Sequence, residues 1–386
     1  MTLEDWMRKA RAAGASDLIL VAGRPPCAYV HGRLGPIDDE SLGAEDLNRL
    51  LTAALTDEQR DRLERTGDVD LGYGIPGLGR ARMNVHRQRG TYAAAIRFVN
   101  TRIPTFDELG LPGKLAELAQ LPRGLVLVTG ATGSGKSTTL AAMIEYMNDH
   151  FERHVITLED PIEFLFSHRR CIIEQREIGG DSPGFVEALR YVVRQKPDVI
   201  LVGEMRDRET IATALTAAET GHLVLGTLHT SSAAQTIERI IDVFEAVHQP
   251  QIRVQLANSL KAVVCQVLVN RQDRPGMVPA LEILVMTSAV RRAIRDGETH
   301  LIPGMIETGQ KFGMVTLDRS LADLVAAGVI GAADALAKAA DYDRLEKMLN
   351  AGTPVGNVLS TRSAVVEQPE PPVPVGTAPA KAKAWH

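Results

Sequence analysis

A glycine-rich stretch with a lysine and several hydroxyl groups, GATGSGKST, follows the apolar run GLVLVT and precedes TTLAAMIEYMN. It fits the pattern G-x-x-x-x-G-K-[ST] in the strand and helix context that the pattern requires. Glycines let backbone N–H groups turn inward around phosphates, the lysine reaches the β and γ phosphates, and a hydroxyl faces Mg²⁺. The flanking runs disfavour the alternative of a glycine-rich turn that matches by chance. The stretch predicts hydrolysis of ATP or GTP, with phosphate contacts from Gly130, Thr132, Gly133, Ser134, Gly135, Lys136, Ser137 and Thr138.

Acidic side chains follow two further apolar runs. Glu159, Asp160 and Glu163 follow HVITL, and Glu204 follows PDVILVG. Because ligands of open α/β sheets bind beyond the carboxyl ends of the strands, we expect these acids near the γ-phosphate and its attacking water. One of the first three could instead cap a following helix. Gly203 stands where many P-loop enzymes carry a magnesium-binding aspartate, so Glu204 is predicted to serve the metal or the water.

Two histidines lie near the two ends of the run ETGHLVLGTLHT. His222 and His229 are seven residues apart, so on a regular strand they point to opposite faces and lie roughly 23 Å apart. This spacing argues against a shared metal ion. His229 lies at the same sheet edge as Glu159 and Glu204, where it can contact the γ-phosphate. His222 lies at the opposite end, where a structural role is the commoner outcome.

The apolar patterns around these residues predict an α/β chain with two domains. The first hundred residues alternate short apolar runs with one helix over 41–65, in which Thr56 and Gln59 could form a capping box, and they predict a small α+β domain. Residues 101–114, rich in Pro and Gly, predict a linker. From 115 to 350, near-continuous apolar runs alternate with helices, as expected for parallel strands covered on both faces. Residues 351–386 predict a disordered tail.

Composition narrows the class of protein. The 386 residues carry a net charge of −5, with 45% hydrophobic and 24% charged residues, so the whole molecule should not attract nucleic acid or anionic lipid. Three scattered cysteines suggest neither a zinc site nor a disulfide framework. With no signal peptide pattern and no apolar run near 18 residues, we expect a cytoplasmic protein without a membrane span.

Four ordered segments carry a family resemblance: GATGSGKSTT, ITLEDPIEF, RQKPDVILVGEMRDRETI and TAAETGHLVLGTLHTSSAAQTIERIIDVF. They resemble the Walker A, Asp box, Walker B and His box of the bacterial secretion ATPases, and most closely the PilT type, the retraction ATPases of type IV pili. SDLILVAGRPP and GRARMNVHRQRG are similar to the PAS-like N-terminal domain of that family. SAVRRAIRD is similar to its AIRNLIRE motif, with Arg291 and Arg295 at the two arginines. The resemblance covers about Leu3 to Leu349.

The resemblance implies roles for single residues. It implies ATP with Mg²⁺ rather than GTP, a RecA-like ATPase domain over 115–350 with C-terminal helices, and a PAS-like domain over 1–100. Glu204 takes the Walker B role and, with Ser137, serves Mg²⁺. Glu163 becomes the general base, His229 the γ-phosphate contact, and His222 the other half of the His box.

The resemblance also implies an assembly. It implies a homohexamer in which each nucleotide lies between the ATPase domain of one chain and the N-terminal domain of its neighbour. Arg82 and Arg97, with Arg80 as a third candidate, would then act on the neighbour's nucleotide as arginine fingers; ordinary surface ion pairing is the alternative for each. The implied partners are an inner-membrane pilus platform protein of the PilC kind and a paralogous retraction ATPase, at the cytoplasmic side of the pilus base.

Differences from the family motifs leave other functions open. Arg292 and Ala293 replace the usual Asn and Leu of AIRNLIRE, a motif tied to retraction, and Lys196 stands where an acid is usual. An accessory PilU-like retraction ATPase is therefore the main alternative. A pilus assembly or type II secretion ATPase would typically add a tetracysteine zinc element, which three isolated cysteines cannot build. A nucleic-acid motor is disfavoured by 4% aromatic residues and the negative charge.

Overall fold

The computed structural model describes residues 1–30, 32–75, 77–99 and 102–352. It contains a six-stranded sheet followed by a seven-stranded sheet with helices on both faces. The predicted α/β class, with an N-terminal α+β part and a mainly parallel sheet, is confirmed. Of the tail predicted over 351–386, all but the first two residues lie outside the described residues.

The N-terminal sheet is antiparallel throughout, in the order β3-β2-β1-β6-β5-β4. Its core contains Leu18, Leu51, Met83 and Ile96, which are all fully buried. The elements of this part are α1 Leu3–Ala12, β1 Ala15–Leu20, β2 Cys27–Val30, β3 Arg33–Pro36, α2 Ala44–Ala53, α3 Asp57–Thr66, β4 Asp68–Ile75, β5 Gly79–Gln88 and β6 Thr91–Phe98.

The single helix predicted over 41–65 is wrong, because the structure has two helices there, α2 and α3. The predicted capping box is present: the Thr56 hydroxyl accepts the N–H of Gln59 at 3.3 Å, and Gln59 Oε1 accepts the N–H of Thr56 at 3.0 Å. Thr56 therefore starts a new helix rather than continuing the old one, because its extended backbone gives the chain a turn at this point.

The second sheet has the order β13-β12-β7-β11-β10-β8-β9, with β13 antiparallel to its neighbour and the other strands parallel. Three of its central strands, β7, β10 and β11, are buried along their whole length, as their apolar runs predict. The elements are α4 Phe106–Leu109, α5 Lys114–Ala119, β7 Gly124–Thr129, α6 Lys136–His150, β8 His154–Glu159, β9 Ile172–Glu177, α7 Phe185–Val192, β10 Val199–Val202, α8 Arg208–Glu219, β11 Leu223–Leu228, α9 Ala233–Asp242, α10 Gln249–Ser259, β12 Leu260–Asn270 and β13 Met277–Val285.

Five α-helices follow in the described chain: α11 Ser288–Asp296, α12 Ile302–Thr308, α13 Leu317–Ala326, α14 Ala332–Leu336 and α15 Tyr342–Gly352. The last three pack with the far ends of β12 and β13 in a small core of their own, around Leu321, Ile330 and Leu345. Within the described ranges, every helix is too short or too polar to cross a bilayer.

Candidate nucleotide-binding site

The phosphate-binding loop lies between β7 and α6, tight against β12. Gly130 has a φ of +140°, and a Cβ there would stand 2.3 Å from the Gln266 carbonyl oxygen; Gly135 has a φ of +85°, and its Cβ would stand 2.8 Å from Gln266 Nε2. Any side chain at either position would therefore be both strained and in collision. The two glycines therefore let the loop approach β12 closely.

Gln266 is a support that the sequence analysis missed. Its Nε2 donates to the Ser134 carbonyl at 2.6 Å, and its Oε1 accepts the Thr139 hydroxyl at 2.8 Å. At 2% exposure the side chain has no access to water, so it ties the loop to both β12 and α6. The available signal was a polar residue within the apolar run AVVCQVLV.

Lys136 is the first residue of α6, and its ammonium group lies over the loop. Nζ donates to the carbonyls of Gly130 at 2.8 Å and Ala131 at 2.9 Å, and lies 3.4 Å from His229 Nδ1. Burial lowers the pKa of Lys136, while the charges of Glu204 and Glu163 act in the opposite direction. A cation at a helix amino end with open N–H groups is suited to the phosphates of a nucleotide.

His229 connects that lysine to Glu204. Since a lysine can only donate, His229 Nδ1 is the acceptor from Lys136, and Nε2 carries the proton that it donates to Glu204 Oε1 at 2.8 Å. Arg206 Nε donates to the same oxygen. Burial alone would raise the pKa of Glu204, but the hydrogen bonds from Arg206 and His229 hold it below its usual value. Glu204 is therefore an ionised carboxylate at neutral pH.

Gly203 explains why an aspartate is absent from the end of β10. A Cβ at this position would lie 2.9 Å from the Leu158 carbonyl oxygen and 3.3 Å from the Cα of Glu159. The ends of β8 and β10 approach so closely that no side chain fits between them. Glu204, one residue later, brings the carboxylate into the pocket instead.

Glu159 lines the cavity, but its carboxylate is hydrogen-bonded to groups of the protein. Its carboxylate accepts the Thr157 hydroxyl at 2.6 Å, Gln175 Nε2 at 3.1 Å and the backbone N–H of Glu163, and burial raises its pKa. The suggested helix cap is wrong, because in the described chain the next helix begins only at Phe185. Glu159 holds the loop that carries Glu163.

One cavity of about 560 Å³ contains most of the predicted site. It is lined by Thr132, Gly133, Gly135, Lys136, Ser137, Thr138, Glu159, Asp160, Glu163, Glu204 and His229, among others. Among the described residues, no group of three or more His, Cys, Asp and Glu side chains could hold a metal alone. The Ser137 hydroxyl and the Glu204 carboxylate are nevertheless oxygen donors of the kind that Mg²⁺ takes when phosphates supply further ligands. The residues fit a Mg²⁺–nucleotide complex.

The other predicted residues lie elsewhere. His222 precedes β11, and its Nδ1 lies 3.0 Å from the Ala217 carbonyl, so within this chain it closes the turn after α8. Arg82 and Arg97 face each other on β5 and β6; Arg97 pairs with Asp17 at 2.8 Å and Arg82 stands 4.0 Å from Asp70.

Arg291 and Arg295 lie on α11. The charge of Arg291 adds to burial in lowering the pKa of Lys261, the second residue of β12. In the described chain, none of the four arginines Arg82, Arg97, Arg291 and Arg295 lines the cavity.

Comparison with known proteins identifies the family. The model of the type II/IV secretion system proteins matches residues 94–301, which contain the phosphate-binding loop and every acid of the cavity. The chain belongs to this family. It is similar to the type IV pilus retraction ATPase PilT of Pseudomonas aeruginosa, with 44% identity over 339 residues, which are 88% of this chain and 98% of that protein.

Two further relatives of this secretion family extend the comparison. The type IV pilus ATPase PilU of Pseudomonas aeruginosa is 40% identical over 353 residues, 92% of each chain. A crystal structure of the pilus retraction motor PilT with bound ADP has a TM-score of 0.83 at 42% identity and covers 90% of this chain and 99% of that one. The likeness therefore extends over both sheets, not only the ATPase motifs.

Proposed function

We propose that this chain is an ATP-hydrolysing motor of type IV pilus retraction. The observation that carries the proposal is the convergence of Lys136, Glu163, Glu204 and His229 on one cavity, in a chain that is 44% identical to a PilT along almost its whole length. The PilU alternative stays open as a second candidate, since the identity to PilU is 40% over 92% of both chains.

The cavity residues suit ATP hydrolysis, with a separate role for each group of residues. The loop and Lys136 bind the β and γ phosphates, and Ser137 with Glu204 would hold Mg²⁺, which when bound offsets phosphate charge. Glu163, at the cavity wall, accepts the proton of the attacking water. His229, hydrogen-bonded to both Lys136 and Glu204, links the residue at the γ-phosphate to the acidic group, so that loss of this phosphate changes both contacts.

The motor acts as a homohexamer in this proposal. Arg82 and Arg97 stand side by side on the N-terminal sheet with half or more of each side chain exposed. In a ring they would reach the neighbour's nucleotide and offset the charge that develops at its γ-phosphate. ATP would draw the two domains of neighbouring chains together, and hydrolysis would release them. This motion would drive a PilC-like platform protein at the inner membrane, with a paralogous retraction ATPase as a further partner.

Mixing defective subunits tests the shared site. Lys136→Ala and the double variant Arg82→Ala/Arg97→Ala should each lose ATP hydrolysis, because one lacks the phosphate contact and the other the charge donated in trans. A mixture of the two should regain part of the activity, since some sites then combine an intact loop with intact arginines. Steady-state phosphate release measures this.

Arg49→Ala is the matched control, because Arg49 is an exposed arginine of the same domain that pairs only along its own helix with Asp46. It should hydrolyse ATP normally. Normal turnover by Lys136→Ala would refute the ATPase site, and a mixture without any recovery would refute the shared arrangement.

A further inference from the structure

An ion pair joins the two sheets of the chain next to the catalytic loop. Arg80, on β5 of the N-terminal sheet, places Nη2 3.1 Å from Oε1 of Glu177, the last residue of β9 in the parallel sheet. The side chains are 27% and 12% exposed, so water screens this pair less than the other arginine pairs of the N-terminal sheet. Arg80 therefore pairs with the other sheet of its own chain, whereas the partners of Arg82 and Arg97 lie within the N-terminal sheet.

The same carboxylate holds the backbone beside the proposed general base. Glu177 Oε2 accepts the N–H of Ile162 at 3.1 Å. The next amide, that of Glu163, donates to the carboxylate of Glu159. Two neighbouring N–H groups are thus held by two carboxylates from adjacent positions on paired strands, since Glu159 and Glu177 are register partners. This fixes the path of the loop that carries the Glu163 side chain.

The two carboxylates differ in what holds them. Glu159 is bound by Thr157 and Gln175, both within the parallel sheet. Glu177 is bound by Arg80, which belongs to the other sheet. One of the two supports of the loop therefore depends on where the N-terminal sheet stands.

Gly72 on β4 leaves the space in which the pair forms. A Cβ there would lie 2.4 Å from Arg80 Nη2 and 2.8 Å from Glu177 Oε1. Gly72 has an ordinary strand backbone, so alanine is compatible with the local conformation, and the three atoms nearest to its Cβ all belong to the ion pair. A substitution at this glycine would displace the pair while leaving both charges in the protein.

We propose that Arg80 and Glu177 are positioning residues for hydrolysis: through Ile162 they make the alignment of Glu163 depend on contact between the two sheets of one chain. The inference rests on the proposed ATPase function. Domain motion in the motor would then change the position of Glu163 directly, because separating the two sheets withdraws Arg80 from Glu177 and loosens the loop that carries Glu163. Nucleotide binding, which uses the loop around Lys136, stays unaffected.

Steady-state kinetics of Arg80→Gln, Gly72→Ala and Arg80→Lys test this role. We expect kcat for ATP to fall about tenfold in the first two while KM stays within about twofold, because alignment of the base and not ATP binding is lost. Arg80→Lys keeps the charge and should retain more of kcat than Arg80→Gln. The double variant Arg80→Gln/Glu177→Gln should be no slower than the slower single variant, since both act through one contact.

Amide hydrogen exchange over residues 160–164 gives a readout that does not need ATP turnover. Exchange should accelerate there in Arg80→Gln and Gly72→Ala, and stay at the wild-type rate in the exposed control Arg49→Gln. Unchanged kcat or unchanged exchange in both variants would overturn the inference. A fall in kcat accompanied by an equal rise in KM and a lower melting temperature would also overturn it, because that combination indicates simple structural support. If wild-type protein fails to hydrolyse ATP, the proposed function fails, whereas the exchange result still decides the coupling.

Discussion

At the residue scale, the cavity is organised by a chain of hydrogen bonds that runs from Lys136 through His229 to Glu204 and Arg206. Each member is hydrogen-bonded to the next, so the lysine predicted to reach the phosphates is linked through one histidine to the acid predicted to hold the metal. Gly203 makes this arrangement possible, because the missing side chain lets β8 and β10 close and moves the carboxylate one residue along the chain.

Gly203→Ala should destabilise the protein although it adds only one methyl group. The Cβ would stand 2.9 Å from a backbone carbonyl that cannot rotate away, so we expect the free energy of unfolding to fall by about 1–3 kcal/mol in urea titrations followed by circular dichroism. Gly304→Ala is the control: no atom lies within 4 Å of its Cβ position, and alanine favours the helix α12. Equal stability of Gly203→Ala and wild type would show that the strands can separate without cost.

The sequence predicted much of this site at residue level. The rule that ligands bind beyond the carboxyl ends of parallel strands correctly grouped Glu163, Glu204 and His229 in one cavity. It could not predict that the Glu159 carboxylate is hydrogen-bonded to groups of the protein, because that depends on Gln175, a residue of a strand that enters through a separate part of the chain. Nor could it predict the pairing of Arg80 with Glu177, which requires the two sheets to be placed against each other.

At the element scale, the strands β12 and β13 support the loops that carry the chemistry. Gln266 of β12 ties down the phosphate-binding loop. Glu282 of β13 accepts the N–H of Ala233 at 2.7 Å at the start of α9, and burial raises its pKa. The segment after His229 is thereby held between β11 and α9. The apolar runs predicted these strands. They do not give the register of the strands, so the supporting residues could not be predicted from the sequence.

Gln266→Leu should weaken both folding and ATP binding. It leaves the Ser134 carbonyl and the Thr139 hydroxyl without their partner, at a cost of about 1–3 kcal/mol for each buried group. The loosened loop should then raise KM for ATP more than it lowers kcat. Gln255→Leu is the control, because Gln255 bonds an exposed glutamate, Glu219, on the surface of α10. A KM equal to that of wild type would mean that the glycines alone shape the loop.

At the scale of the whole molecule, two sheets meet next to the loop that carries Glu163, and the exposed arginine pair of the first sheet, Arg82 and Arg97, does not line the cavity of its own chain. This division suits a ring in which each domain serves two sites, its own through Arg80 and a neighbour's through Arg82 and Arg97. The two-sheet organisation was readable from the change between alternating and continuous apolar runs. The contact between the two sheets could not be predicted, since it depends on two side chains, Arg80 and Glu177, that are about a hundred residues apart in the sequence.

The most direct measurement replaces Glu204 with alanine at the native locus in a bacterium that carries this chain, and counts surface pili alongside twitching motility. A retraction motor predicts abundant pili and no twitching, because pili assemble but are not withdrawn. Bald cells would show that the chain drives assembly, and unchanged pili with normal movement would show that retraction does not need its ATPase; either result would contradict the account.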